Sequence, residues 1–379
     1  MLTRRSFIQT AALVGGYAMM GCSQLGTDTG SATSSDAAYN ADSDKEWFMP
    51  DESERHSRTW MAFGASEAIW GRDLVPEVQR NLATIALTIA QFEPVTMLVR
   101  EEEVDVARRL LDDSVELIVS PIDDLWMRDT GPIFVSTEVG TRAAIDFNFN
   151  GWGEKQQYHH DAQVAAFIAQ QAGVPVLNTD LVLEGGCIEV DGHGTAIITE
   201  SCVLNTNRNP GLSKAQFEDA LMPLLGLDKI IWLPGIRGMD ITDGHTDFYA
   251  RFASPGVVLA GYDPDPQSFD HEVTKEHIEI LHSATDAQGR SLDVVVLEGP
   301  STIREEYATD DFAAGYIGFY VCNGAVIMQE FGDSQADQVA RQTVQDVFPN
   351  REVIQLNIDG IAAGGGSIHC ATQQEPLFS

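Results

Sequence analysis

This sequence predicts an α/β fold assembled from repeated modules, and three observations carry that prediction. Segments with helical spacing alternate with short apolar runs of strand length. Between these helix–strand units lie strand pairs joined by tight turns. No shift in composition divides the body of the chain, so residues 46–379 read as one domain.

Taken in order, Pro76 to Phe92 has helical spacing, with Leu82, Ile85, Ala86 and Ile89 on one face. Val95 to Val99 follows as an apolar strand, Val104 to Leu111 as a helix and Val115 to Val119 as a strand. The same helix-then-strand unit recurs as Ala162 to Gln171 with Val174–Leu177, and as Ala215 to Leu225 with Ile230–Leu233. It recurs again as Glu272 to Ala287 with Leu292–Leu297, and as Ala336 to Val347 with Glu352–Leu356. Strand pairs fall between them: Ile188–Val190 with Ala196–Thr199, and Tyr316–Val321 with Ala325–Gln329, the latter joined at Asn323-Gly324. Periodicity alone would favour a doubly wound sheet. The glycine-rich phosphate loop that gives such sheets their nucleotide chemistry is missing after the first strand.

The amino terminus reads as an export signal over residues 1–22. Arg4-Arg5 precede a short apolar run from Ala11 to Met20, in the manner of a twin-arginine leader. That run is too short to span a bilayer as a permanent helix. Met19-Met20-Gly21-Cys22 resembles a lipobox, which makes Cys22 a lipidation candidate and the only expected link to a membrane. Residues 23–45 are rich in Ser, Thr, Gly, Asp and Ala and read as a flexible tether. The expected location is therefore extracytoplasmic.

Charge excludes some partners. The 379-residue chain carries a net charge of −34 and only five lysines, so nucleic acid and anionic membrane faces are repelled. The balance suits a cationic substrate. An acidic, lysine-poor surface also fits a salty environment, an expectation that fails if the fold is equally stable in low salt. Cysteine spacing shows no metal pattern, and Cys187 and Cys202 flank a hairpin where they either pair or stay free.

Four polar runs sit at strand ends: Asp123 to Pro132, Glu184-Gly185-Gly186, Asp243 to Asp247, and Gly364-Gly365-Gly366-Ser367-Ile368-His369-Cys370. Each alone has an ordinary explanation, as a turn, a local ion pair or a buried thiol. Together they offer one thiol, one histidine and several carboxylates. Acyl transfer needs a stabilised oxyanion, which carboxylates oppose. A planar cation is what carboxylates hold well: Asp129 and Asp247 can clamp a guanidinium by bidentate hydrogen bonds, leaving its electron-poor carbon open to a thiolate. If His245-Thr246-Asp247 is a strand, His245 and Asp247 share one face.

Five motifs occur in order: Trp126-x-Arg128-Asp129-x-Gly131-Pro132, Glu184-Gly185-Gly186, Asn207-Arg208-Asn209-Pro210, Asp243-Gly244-His245-x-Asp247, and the Gly364–Pro376 run through Cys370. They resemble the agmatine deiminase and bacterial peptidylarginine deiminase family of guanidine-modifying enzymes, over roughly Trp47 to Pro376. The resemblance implies a five-bladed α/β propeller (pentein) of strand–strand–helix–strand modules. It implies Cys370 as nucleophile, His245 as acid and base, Asp129 and Asp247 as guanidinium ligands, and Glu184 as partner of His245. Trp126 either lines the pocket or packs beneath its loop. No metal or cofactor is implied. The reaction implied converts a guanidinium to a ureido group plus ammonia through a cysteine thiouronium. Agmatine is the first substrate expected and peptidylarginine the second. Cys187 and the run Asp247-Phe248-Tyr249-Ala250-Arg251 depart from the agmatine enzymes near the specificity-setting positions. A reading of a different class is a tethered lipoprotein that binds cationic amines without turnover, for which Cys370 is dispensable.

Overall fold

Five separate sheets organise the residues described by the computed structural model, 46–309 and 311–378. The export segment, Cys22 and the tether lie outside those residues. Each sheet contains at least one antiparallel and one parallel pairing, with a helix before the parallel strand, and Trp47–Phe48 adds a second antiparallel pairing, to Ile133–Thr137. In one, Ile133–Thr137 pairs antiparallel with Arg142–Asp146, which pairs parallel with Val176–Asn178 after the helix Val164–Ala172. In the next, Ile188–Val190, Thr195–Thr199 and Lys229–Leu233 repeat the pattern around the helix Lys214–Leu225. Ala250–Ser254, Val257–Tyr262 and Asp293–Glu298 repeat it around His271–Ser283. Tyr320–Cys322, Ala325–Gln329 and Glu352–Leu356 repeat it around Ser334–Val347.

The fifth sheet joins the two ends of the domain. Its antiparallel strand is Gln373–Pro376, which pairs with His56–Phe63, and Val95–Val99 and Val115–Val119 complete it in parallel. Part of the run after Cys370 is therefore strand. Gln373 sits opposite Trp60 in that register.

Local chemistry explains several boundaries. Ser213 and Gln216 form a reciprocal capping box on Lys214–Leu225, and Gly226 closes that helix in the left-handed region at φ 67°. Val95–Val99 is buried at every position because packing covers both faces of its parallel sheet. The first long helix spans Glu67–Ile89, nine residues ahead of its expected start. Gly71, at φ 70°, kinks it without ending it, and Pro76 sits in the first turns after that kink. The helix expected to Ala287 stops at Ser283, where Ala284 becomes extended. Thr246–Phe248 is a short 3-10 turn, not the expected strand, so period-two alternation does not place His245 and Asp247.

Among the described residues, no helix is long and apolar enough to cross a membrane.

Candidate active site

The modular topology gathers the polar runs. Asp129 lies four residues before Ile133–Thr137, Glu184 four before Ile188–Val190, Asp247 three before Ala250–Ser254 and Cys370 three before Gln373–Pro376. Each residue thus enters from the start of the first strand of a different module. Asp129, His245 and Cys370 all line one cavity of about 350 Å³, with Trp70, Trp126 and Trp152 among its walls. Trp126 is a wall of that cavity and also packs against Gly366 of the glycine run, so it meets both descriptions.

The glycine run is explained by aromatic neighbours. A Cβ on Gly366 would sit 2.1 Å from Trp126, and one on Gly364 would sit 2.3 Å from Trp70. Gly365 lies at φ +87°. The two indoles stack in a tilted arrangement with centroids 5.6 Å apart. Gly186 is equally constrained: its Cβ would lie 2.5 Å from His245 Nδ1, 3.0 Å from Asp129 Oδ1 and 3.1 Å from Asp247 Oδ2.

Every candidate polar group is buried. Asp129 accepts from Trp152 Nε1 at 2.9 Å and from the Gly186 amide at 3.1 Å. Burial raises its pKa, reinforced by the carboxylates of Glu184 and Asp247 and opposed by His245. Trp152 reaches it from a left-handed backbone, φ 56°, a conformation a bulky side chain adopts only where packing enforces it. His245 Nε2 is 3.3 Å from Glu184 Oε2, and its Nδ1 is 3.8 Å from Asp129 Oδ1 and 4.0 Å from Asp247 Oδ1. Burial opposes a charge on His245, but Asp129, Cys202 and Glu184 outweigh it and hold the imidazole pKa well above its usual value. Burial likewise works against the Glu184 carboxylate, yet His245 and Arg208 pull its pKa down to about 2.

Cys370 Sγ is 3.2 Å from Ser367 Oγ and 4.0 Å from Asp247 Oδ2. Burial, then the charges of Asp247 and Asp129, push its thiol up to about 12. Asp247 Oδ2 is 2.6 Å from His369 Nδ1, whereas its Oδ1 is buried with no hydrogen-bond partner among the described residues. Burial would raise the Asp247 pKa, but the bond from His369 lowers it overall.

Several contributors carried no role in the sequence reading. Arg208 donates from Nε to Glu184 Oε1 at 2.7 Å, with both side chains fully buried. Arg128 and Arg251 converge on Glu52 at 2.8 and 2.7 Å, and His369 Nε2 meets the same carboxylate at 2.9 Å. Arg208, Arg128 and His369 stand inside recognisable motifs, whereas Glu52 has no local signal. Cys187 and Cys202 are free thiols with Sγ atoms 2.9 Å apart, beside Glu184. Glu184, Cys187, Cys202 and His245 form a set of potential metal ligands within 4.8 Å of one another, a juxtaposition invisible in the cysteine spacing.

A family model for Porphyromonas-type peptidyl-arginine deiminases matches residues 48–376. The chain is 41% identical over 336 residues to a putative agmatine deiminase of Streptomyces coelicolor, covering 86% of this chain and 98% of that one. It is 37% identical over 363 residues to the agmatine deiminase of Medicago truncatula, covering 87% and 96%. The solved agmatine deiminase of Enterococcus faecalis superposes with a TM-score of 0.81 at 33% identity, covering 87% of this chain and 96% of that one. Both the matched length and the mixed α/β architecture agree with these relatives, and the chain belongs to the Porphyromonas-type peptidyl-arginine deiminase family.

Proposed function

We propose that the protein is a guanidine deiminase that hydrolyses agmatine to N-carbamoylputrescine and ammonia. The observation that carries this reading is the buried thiol of Cys370 beside Asp247, whose Oδ1 is buried without a partner. An unpaired buried carboxylate oxygen is costly, and a guanidinium satisfies it with charge and geometry together. Relatives named agmatine deiminase support the choice of substrate. So does a cavity of about 350 Å³ walled by indoles, which suits a short methylene chain.

In this mechanism Asp129 and Asp247 hold the guanidinium. Its positive charge offsets the two carboxylates that keep Cys370 protonated, so substrate binding itself favours the thiolate. The thiolate attacks the guanidinium carbon to give a tetrahedral adduct. His245, held as imidazolium by its acidic neighbours, gives its proton to the departing nitrogen, and ammonia leaves. A thiouronium remains on Cys370. The now neutral His245 takes a proton from water, which attacks the same carbon. Collapse releases the ureido product and restores the thiol. Glu184 orients His245 and stabilises its charged form, and Arg208 fixes Glu184.

We also infer that the five sheets close into a propeller, because the last strand, Gln373–Pro376, completes the sheet of His56–Phe63 near the start of the domain. Export through the twin-arginine route and lipidation at Cys22 remain part of this proposal, on the sequence signal alone.

The test is a screen of agmatine, free arginine and peptidylarginine for ureido product, with Cys370→Ala as control. Ammonia and N-carbamoylputrescine from agmatine alone support the reading. Citrulline formation in peptides, with agmatine untouched, contradicts it. Undiminished turnover by Cys370→Ala contradicts the mechanism.

A further inference from the structure

We propose that Glu184, Cys187, Cys202 and His245 form an inhibitory site for a Zn²⁺ ion, directly behind the reacting face of His245. Two thiols, an imidazole and a carboxylate are a donor set suited to a borderline-soft divalent cation. All four residues are buried, and their ligand atoms lie within 4.8 Å of one another.

Four of the six ligand–ligand separations lie near or below a tetrahedral edge, and all six lie within 4.8 Å. Bond lengths of about 2.0–2.3 Å place ligand atoms roughly 3.3–3.8 Å apart. His245 Nε2 and Glu184 Oε2 are separated by 3.3 Å, and Cys202 Sγ and Glu184 Oε2 by 3.6 Å. Cys187 Sγ is 3.1 Å from the same oxygen and 2.9 Å from Cys202 Sγ. Opening the thiol pair by somewhat under ~1 Å brings that pair to the tetrahedral spacing. The hairpin Ile188–Val190 and Thr195–Thr199 holds the two cysteines together: Cys187 immediately precedes it, and Cys202 lies in the short helix after it.

Three donors converge on one anionic oxygen. Both thiols and the imidazole meet Glu184 Oε2, so a cation at that focus replaces their protons. Binding releases one proton from each thiol, and one from Nε2 where it carries one. Formal charge closes as well: two thiolates and the Glu184 carboxylate are matched by Zn²⁺ and the Arg208 guanidinium, which is 2.7 Å from Glu184 Oε1. The outer contacts suit a metal-bound imidazole. His245 Nδ1 faces Asp129 Oδ1 at 3.8 Å and Asp247 Oδ1 at 4.0 Å, beyond hydrogen-bond distance but close enough for their charge to favour a proton on Nδ1.

Occupancy puts the metal in place of the His245 Nε2 proton and leaves Nδ1–H on a neutral, metal-bound imidazole, a far weaker acid than imidazolium and no base at all, so ammonia loses its acid. Inhibition rests on the proposed role of His245. Metal binding does not, and the two are read separately.

The experiment uses the full chain, reduced and metal-free, titrated with Co²⁺ and then Zn²⁺. Expected are one metal per chain, a thiolate-to-cobalt charge-transfer band, sulfur ligation in the Zn²⁺ X-ray absorption spectrum, and loss of ammonia release that a chelator reverses. Cys187→Ser and Cys202→Ser should each weaken Zn²⁺ by at least about tenfold, whereas Cys370→Ala should keep both metal and band. Uptake without sulfur ligation, as at an acidic surface, overturns the proposal. So does a band that vanishes in Cys370→Ala and survives both serine variants. So does peptide mapping that finds Cys187 and Cys202 joined as a disulfide in the untreated protein. The wild-type spectra decide the matter even if a serine variant fails to fold. Metal binding intact in a protein that releases no ammonia from any guanidine defeats the proposed function and leaves the site standing.

Discussion

His369 Nδ1 lies 2.6 Å from Asp247 Oδ2 while its Nε2 lies 2.9 Å from Glu52 Oε2. The imidazole is thus a strut between a proposed substrate ligand and the buried Glu52–Arg128–Arg251 ion network. Removing it frees Asp247 to rotate. His369→Ala should lower kcat/KM for agmatine roughly ten- to hundredfold, the scale of a hydrogen bond to a charged group. His369→Asn, whose amide can still reach Asp247, should recover part of that loss. Equal activity of the two variants would show that the contact with Asp247 is not what matters.

The carboxylate pair is expected to act through charge. Asp129→Asn and Asp247→Asn keep size and lose the anion. Each should reduce kcat/KM for agmatine by about a hundredfold or more, with a raised KM. Steady-state kinetics against agmatine check this. An unchanged KM in both variants contradicts the proposed clamp.

Cys370 should behave as an unactivated thiol until a cation arrives. Its pKa is pushed up to about 12 by burial and by Asp247 and Asp129. A raised thiol pKa means little thiolate at neutral pH, with the fraction growing about tenfold per unit as pH rises toward that value. Inactivation by neutral chloroacetamide should therefore climb with pH and reach no plateau between about pH 7 and 9. Cationic chloroacetamidine should inactivate faster at about pH 7, because it neutralises the two carboxylates. Inactivation rates followed by residual ammonia release test both statements.

Arg208 and Glu184 form a fully buried pair, 2.7 Å apart. Arg208→Met leaves Glu184 with His245 as its remaining cationic partner and takes a partner from Asp243 as well, and urea unfolding should show a loss of about 3–5 kcal/mol. A loss below ~1 kcal/mol would mean that Glu184 is sustained by its other partners.

Much of the fold was legible where local and tertiary demands agree. Val95–Val99, Val115–Val119 and Glu352–Leu356 have their expected bounds because short, mostly apolar runs in parallel sheets leave few alternatives. The start of Glu67–Ile89 was not legible, since Gly71 and Pro76 read as breakers and tertiary packing carries the helix through them. Asp129, Glu184, His245, Asp247 and Cys370 were each marked by adjacent glycine or a motif. His245 and Asp247 meet through a 3-10 turn rather than strand alternation. Glu52 was invisible because its partners lie far along the chain, His369 being 317 positions away. Its role exists only once Gln373–Pro376 and His56–Phe63 share a sheet.

The most direct test is acid quenching of the enzyme during turnover of agmatine, followed by peptide mass spectrometry. A thiouronium mechanism predicts a peptide bearing Cys370 heavier by agmatine less ammonia, and no such adduct in Cys370→Ala. Steady ammonia release with every cysteine unmodified, or an adduct on Cys187, Cys202 or Cys322 instead, would contradict attack by Cys370.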